Sequence, residues 1–186
     1  MVIDGLDGSG KSTQANNLSK YLISNSKTVC LRIHPAEDNF FGCQSRRFLL
    51  AKGKNAQFAS SIFYMLDVLR SVTLHIWRKT DYTIFVRYLM GTAYLPAPLD
   101  KIGYCLFSTI LPKSKAMFFL DVTPQEAYRR IQENRTEKEV FEELCALKKV
   151  RTKALTLTAI DPWKVINANQ PAKKVAQQII NHIEKL

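Results

Sequence analysis

The stretch Val2-Ile3-Asp4-Gly5-Leu6-Asp7-Gly8-Ser9-Gly10-Lys11-Ser12-Thr13-Gln14 opens the chain and decides its fold. Gly5, Gly10, Lys11 and Ser12 stand at the spacing G-x-x-x-x-G-K-[ST]. A short strand at 1–4 precedes them, and a helix follows with Leu18, Tyr21 and Leu22 on one side. That strand-loop-helix context is what gives the spacing meaning.

The residue types suit a phosphate cradle. Gly8 and Gly10 let the backbone take positive φ, so that successive N–H groups of Gly5, Leu6, Asp7, Gly8, Ser9, Gly10, Lys11, Ser12 and Thr13 turn toward negative charge. Lys11 adds a mobile ammonium, and the Ser12 hydroxyl is placed to hold Mg²⁺, with Asp4 as a second candidate. The helix contributes the positive end of its dipole. The expectation is an ATP site; a glycine turn without a ligand is the bland alternative, and the flanking strand and helix argue against it.

The 186 residues, 46% hydrophobic and 23% charged, suit a single folded domain over 1–186. No apolar run reaches the roughly 18 residues that span a bilayer, and the start reads as strand and loop rather than a signal peptide. Cys30, Cys43, Cys105 and Cys145 form no C-x-x-C pair, which points to reduced core thiols and a cytoplasmic setting. The net charge of +11 calls for a polyanion. It is spread in short clusters such as Arg46-Arg47 and Lys148-Lys149, most of which read as solvated helix faces; nucleic acid and the phosphates of small nucleotides are both candidate partners, and the lack of a long basic stripe makes nucleic acid the less expected.

Apolar runs alternating with helical patterns indicate an α/β fold with a mainly parallel sheet covered on both faces. Strands are expected at 28–34, 82–87, 116–122 and 163–167, besides the first. Helical stretches are expected at 41–51 and 57–78, from Pro124 through Arg135, in a second segment carrying Val140, Leu144, Leu147 and Ala154, and over 170–186. Residues 95–99 read as a Pro-containing loop. His34, His75 and His182 do not cluster with other metal ligands.

The opening run, with an acid before the first glycine and an Asp-Gly pair inside the loop, resembles that of thymidylate kinases. Arg87-Tyr88 followed by Ala93-Tyr94, the run Phe119-Leu120-Asp121-Val122, and Arg130 with Arg135 resemble later landmarks of that family in the same order. The resemblance implies a three-layer α/β/α P-loop nucleotide kinase fold with a five-stranded parallel sheet. It also implies a lid near 129–140, and transfer of the ATP γ-phosphoryl group to dTMP or a related monophosphate. Lys11, Asp7, Arg87, Arg130 and Arg135 would be its catalytic residues. Pro35, Arg46, Tyr64, Asp67, Arg70 and Tyr94 resemble the acceptor site, with Asp7 and Arg87 facing it. A dimer through the helices around 57–78 is also implied.

Each role has a plainer reading: core tyrosines for Tyr64 and Tyr94, helix-surface arginines for Arg130 and Arg135, a turn-stabilising acid for Asp7. The chain also departs from the family. Val86 stands where an Asp precedes the arginine, Val68 where an arginine follows Asp67, and Pro35-Ala36-Glu37 where a Pro-Gly-Gly turn is usual. These departures keep two alternatives open: a catalytically weakened regulatory nucleotide binder, and, from charge alone, a nucleic-acid-stimulated ATPase.

Overall fold

The computed structural model describes residues 1–51, 54–75, 77–134 and 144–186. Its strands are β1 (Val2–Gly5), β2 (Val29–Ile33), β3 (Tyr82–Val86), β4 (Met117–Asp121) and β5 (Lys164–Asn167). They form one parallel sheet in the order β2-β3-β1-β4-β5. The central strands are the most apolar for a reason: Ile3, Ile84, Val86, Phe118 and Phe119 are fully buried between two helical layers.

The helices are α1 (Lys11–Ser24), α2 (Phe40–Leu50), α3 (Lys54–His75), α4 (Leu99–Ile110), α5 (Pro124–Asn134), α6 (Leu144–Leu157) and α7 (Ala172–Ile183), with a 3₁₀ turn at Met90–Tyr94. From β1 the chain steps to one sheet edge, and every later crossover steps the other way. Crossovers of one hand therefore put α1 on the opposite face from α3, α4 and α6. The packing agrees: α1 meets α7, while α6 meets α4 and the 3₁₀ turn. The reversal of direction occurs at β1, so the loop after β1 sits in the crevice at the carboxyl ends of the strands.

The structure adds one helix to the sequence reading. The expected loop at 95–99 ends one residue early, because Leu99 begins α4. Its inward face carries Asp100, Tyr104 and Ser108, while Ile102, Leu106 and Ile110 face out. The expected lid residues 135–140, Arg135 and Val140 among them, lie outside the described residues.

Candidate active site

Two clefts meet at the loop between β1 and α1. On one side Gly8, Ser9, Gly10, Ser12, Thr13 and Arg130 line a cavity of about 540 Å³. Gly8 and Gly10 adopt φ of +75° and +86°. At Gly8 space imposes the choice as well: a Cβ would meet the Ala127 carbonyl at 2.6 Å. α5 thus packs its backbone directly against the loop, which brings Arg130 over it. The Arg130 guanidinium donates to the Ala168 carbonyl at 3.0 Å, reaches the Gly8 carbonyl at 3.5 Å, and is braced by Glu126 at 2.8 Å. Hydrogen bonds from Arg129 and Arg130 hold Glu126 down at a pKa of about 2, so the brace stays charged.

Lys11 folds onto the loop, donating to the carbonyls of Gly5 at 2.9 Å and Leu6 at 2.5 Å, and lies 3.8 Å from Asp7. Ser12 and Thr13 are exposed at the first turn of α1. Positive-φ glycines, the first turn of α1 and one guanidinium line a cavity of this size, with the Lys11 ammonium folded onto the same loop, a set of groups that suits a nucleoside triphosphate.

Asp4 is used differently from the metal role expected of it. Its carboxylate accepts from the amides of Gly5 at 3.0 Å, Tyr88 at 2.8 Å and Met90 at 3.1 Å, and it is 2% exposed. Burial raises its pKa against the pull of those amides and of Lys11. Asp4 therefore clamps the segment after β3 to β1, and Ser12 remains the metal candidate on the open side of the loop.

Across the loop, a narrower slot is lined by Asp7, Pro35, Tyr64, Arg87 and Tyr94, together with Ser45, Leu49, Ser60, Ser61 and Gly91. Asp7 is its hub: the Arg87 guanidinium and the Tyr94 hydroxyl, the latter at 2.8 Å, both donate to its carboxylate. Burial, and then the charge of Asp7, pushes the Tyr94 pKa well above its ordinary value, so the phenol remains a donor. Lys11, Asp7, Arg87 and Tyr94, scattered over more than eighty positions, thus converge at the junction of the two clefts.

Arg87 takes a left-handed backbone, φ +61°, rare for a residue with a Cβ. It is held there by its amide on the Ile3 carbonyl at 3.1 Å and by His34 Nδ1 at 2.9 Å from its carbonyl. A carbonyl only accepts, so Nδ1 carries the proton. His34 is 1% exposed and stacks on Phe85, and burial depresses its pKa. Sequence reading assigned His34 no role. Nor did it find Gly91, where a Cβ would strike the Tyr64 ring at 2.1 Å, or the serines of α2 and α3.

Three expected acceptor residues lie elsewhere. Arg46 is 55% exposed and paired with Glu37 on the surface. Asp67, fully buried, holds the turn after β2 through the Ala36 amide at 2.7 Å and Asn39 at 2.8 Å. Arg70 is half-buried one turn farther along α3 and does not line the slot. Val68 and Val86 are both core residues with no exposure.

Comparison with known proteins decides the family. The family model described as thymidylate kinase matches residues 3–179. The chain belongs to the thymidylate kinase family. This is a family of ATP-dependent nucleoside monophosphate kinases built on the P-loop fold described above. A Thermococcus kodakarensis protein named "probable thymidylate kinase" is 30% identical over 201 residues, covering 100% of this chain and 97% of that protein. A Pyrobaculum calidifontis protein of the same name is 28% identical over 190 residues, covering 100% and 95%. The solved thymidylate kinase of Candida albicans superposes with a TM-score of 0.78 at 22% identity, covering 99% of this chain and 90% of that one, which supports the fold. Thymidylate kinases use ATP and Mg²⁺, and the loop at 5–13 is the feature of this chain that suits both.

Proposed function

We propose that this chain moves the γ-phosphoryl group of ATP to the monophosphate of dTMP or a related nucleoside monophosphate, in one P-loop kinase domain over 1–186 with its lid near 129–140. The observation that carries the reading is the junction of Asp7, Arg87, Tyr94 and Lys11 between a phosphate-binding cleft and a slot walled by Tyr64 and Pro35. Phosphoryl transfer asks a protein mainly to align two phosphates and to place cations where charge spreads over the transferring oxygens. Lys11 and Arg130 serve the donor side, with Arg135 as the further lid cation. Arg87, set by Asp7, serves the acceptor phosphate. Ser12 is the hydroxyl suited to Mg²⁺, which when bound supplies charge screening on the phosphate oxygens.

Two subsidiary readings accompany this one. The apolar residues exposed along α3 support pairing of two copies, and four free thiols, Cys30, Cys43, Cys105 and Cys145, suit the reducing cytoplasm. No helix among the described residues is long and apolar enough to cross a membrane.

An ADP-release assay across ribo- and deoxynucleoside monophosphates tests the reading. ADP should form only when an acceptor is present. ATP binding without turnover on any acceptor would favour a regulatory binder, and hydrolysis stimulated by DNA or RNA would favour an ATPase instead. Lys11→Ala should abolish turnover and weaken ATP binding at least about 100-fold, since it removes the loop's ammonium; wild-type activity in that variant would overturn the site assignment.

A further inference from the structure

Tyr94 meets Asp7 from the last position of its 3₁₀ turn, so the end of that turn sets where the phenol points. The front of the turn is fixed by Asp4, which accepts from the Met90 amide at 3.1 Å. The back is gripped at Leu95 from two directions. The Leu95 amide donates to the Thr92 carbonyl at 3.0 Å, and the Lys153 ammonium donates to the Leu95 carbonyl at 2.5 Å. The same ammonium lies 3.7 Å from the carboxylate of Asp100, in the first turn of α4. Asp100 is 5% exposed, so solvent does little to screen that attraction.

Lys153 comes from α6, and with Tyr94 and Leu95 it lines a cavity of about 520 Å³ between α6 and α3. It lines neither the nucleotide cleft nor the acceptor slot. α6 packs against the 3₁₀ turn and also against α5, the helix that carries Arg130. The bond from Lys153 to Leu95 therefore links the arm over the nucleotide cleft to the turn that presents Tyr94.

We infer that Lys153 is a positioning residue for the acceptor phosphate, acting through Leu95 and Tyr94 on Asp7 and so on Arg87. The inference rests on the kinase reading above and adds to it a side chain outside both clefts. Removing the ammonium takes a charged donor from the Leu95 carbonyl and leaves the Asp100 carboxylate buried without its cation. Both losses fall on the segment 95–100, directly behind Tyr94. Arg87 then keeps its carboxylate partner but loses the fixed place of that partner, and alignment of the acceptor suffers before binding of ATP does.

The test is a double-mutant cycle on the full chain. Lys153→Met keeps the length of the stem and removes the ammonium; Tyr94→Phe removes the bond to Asp7. Rates of ADP formation, measured below each variant's unfolding transition, give the KM for dTMP and for ATP, and calorimetry gives dTMP binding. Expected for Lys153→Met is a dTMP KM raised about tenfold with an ATP KM within about twofold of wild type. Tyr94→Phe should show the same split, and the double variant should fall within about twofold of Tyr94→Phe alone, because both substitutions cut one relay. Lys153→Ala, read by the same criteria, stands in should the methionine variant not fold. Losses that multiply in the double variant, an ATP KM that rises in step with the dTMP KM, or wild-type kinetics without Lys153 overturn the inference and leave the kinase reading standing. Weakened dTMP binding in the same non-additive pattern, with no turnover even in the wild type, supports the inference and removes the kinase reading. Neither binding nor turnover in the wild type overturns both.

Discussion

Asp7 is a single carboxylate on which two independent side chains converge, with the Lys11 ammonium 3.8 Å away as a second cation. It is 4% exposed, so its partners are not replaced by water and its charge is felt at short range. Asp7→Asn keeps the shape and removes the charge, releasing Arg87 from a fixed position. Expected is a fall of about 100-fold in kcat/KM with a raised acceptor KM, because alignment is most of what this chemistry asks for. Circular dichroism should show the fold unchanged; a variant at wild-type efficiency would show that Arg87 needs no such anchor. His34 anchors the same arginine from its backbone. Burial keeps the ring neutral in the fold, while in the unfolded chain it takes a proton near its ordinary value of 6.5. The unfolded state therefore binds more protons below that value, so this contribution to stability is complete above pH 6.5 and is lost as pH falls. Denaturant titrations from pH 8 to 5 should show that His34→Asn lacks this part of the acid-side loss. At pH 8 the variant should be less stable by about 1–3 kcal/mol, from the missing donor to the Arg87 carbonyl.

At the scale of elements, α5 is the piece that connects the nucleotide cleft to the rest of the fold. Gly8 admits the Ala127 backbone, and that contact places Arg130 within reach of the Gly8 and Ala168 carbonyls. Arg130→Gln should raise the ATP KM about tenfold and lower kcat while leaving the acceptor KM close to wild type, a split that a general loss of stability does not produce. The donor half of the site was legible in the sequence because its chemistry is backbone chemistry, written in consecutive residues from Gly5 to Thr13. The candidate acceptor slot was legible in part: Tyr64, Tyr94 and Arg87, named from the sequence, line it. It was not legible where the wall is made of serines from α2 and α3, because Ser45 and Ser60 meet only through tertiary packing and leave no periodic signal. Arg46 was misplaced for a related reason: its partner is Glu37 on the surface, and charge type alone does not say which way a helix faces. α4 escaped notice because its pattern is inverted. Gly103, Tyr104 and Cys105 are weak helix formers, and the buried side is held by polar bonds, with Tyr104 donating to Asp161 at 2.9 Å.

For the whole molecule, the inversion in α4 and the apolar side of α3 raise the same question of what covers them. Phe58, Ile62 and Leu66 recur at four-residue spacing on α3, between 37% and 45% exposed, and Ile102, Leu106 and Ile110 do so on α4. Both helices lie on the sheet face opposite α1, so their apolar residues belong to one side of the molecule. Scattered apolar residues are ordinary on a surface, but rows at helical spacing on two helices of one layer are the pattern of a face that meets another surface. A second copy related by a two-fold axis would present the same rows, and a stable dimer needs them to bury about 1,200–2,000 Å² in total. Ile62→Asp would place a charge at the centre of that contact, where desolvation without a partner is costly. Sedimentation velocity should show the wild type as a dimer at micromolar concentration and Ile62→Asp as a monomer. Ile23→Asp, on the opposite face in α1, should still sediment as a dimer. A wild-type chain that sediments as a monomer throughout would leave the α3 face without this partner.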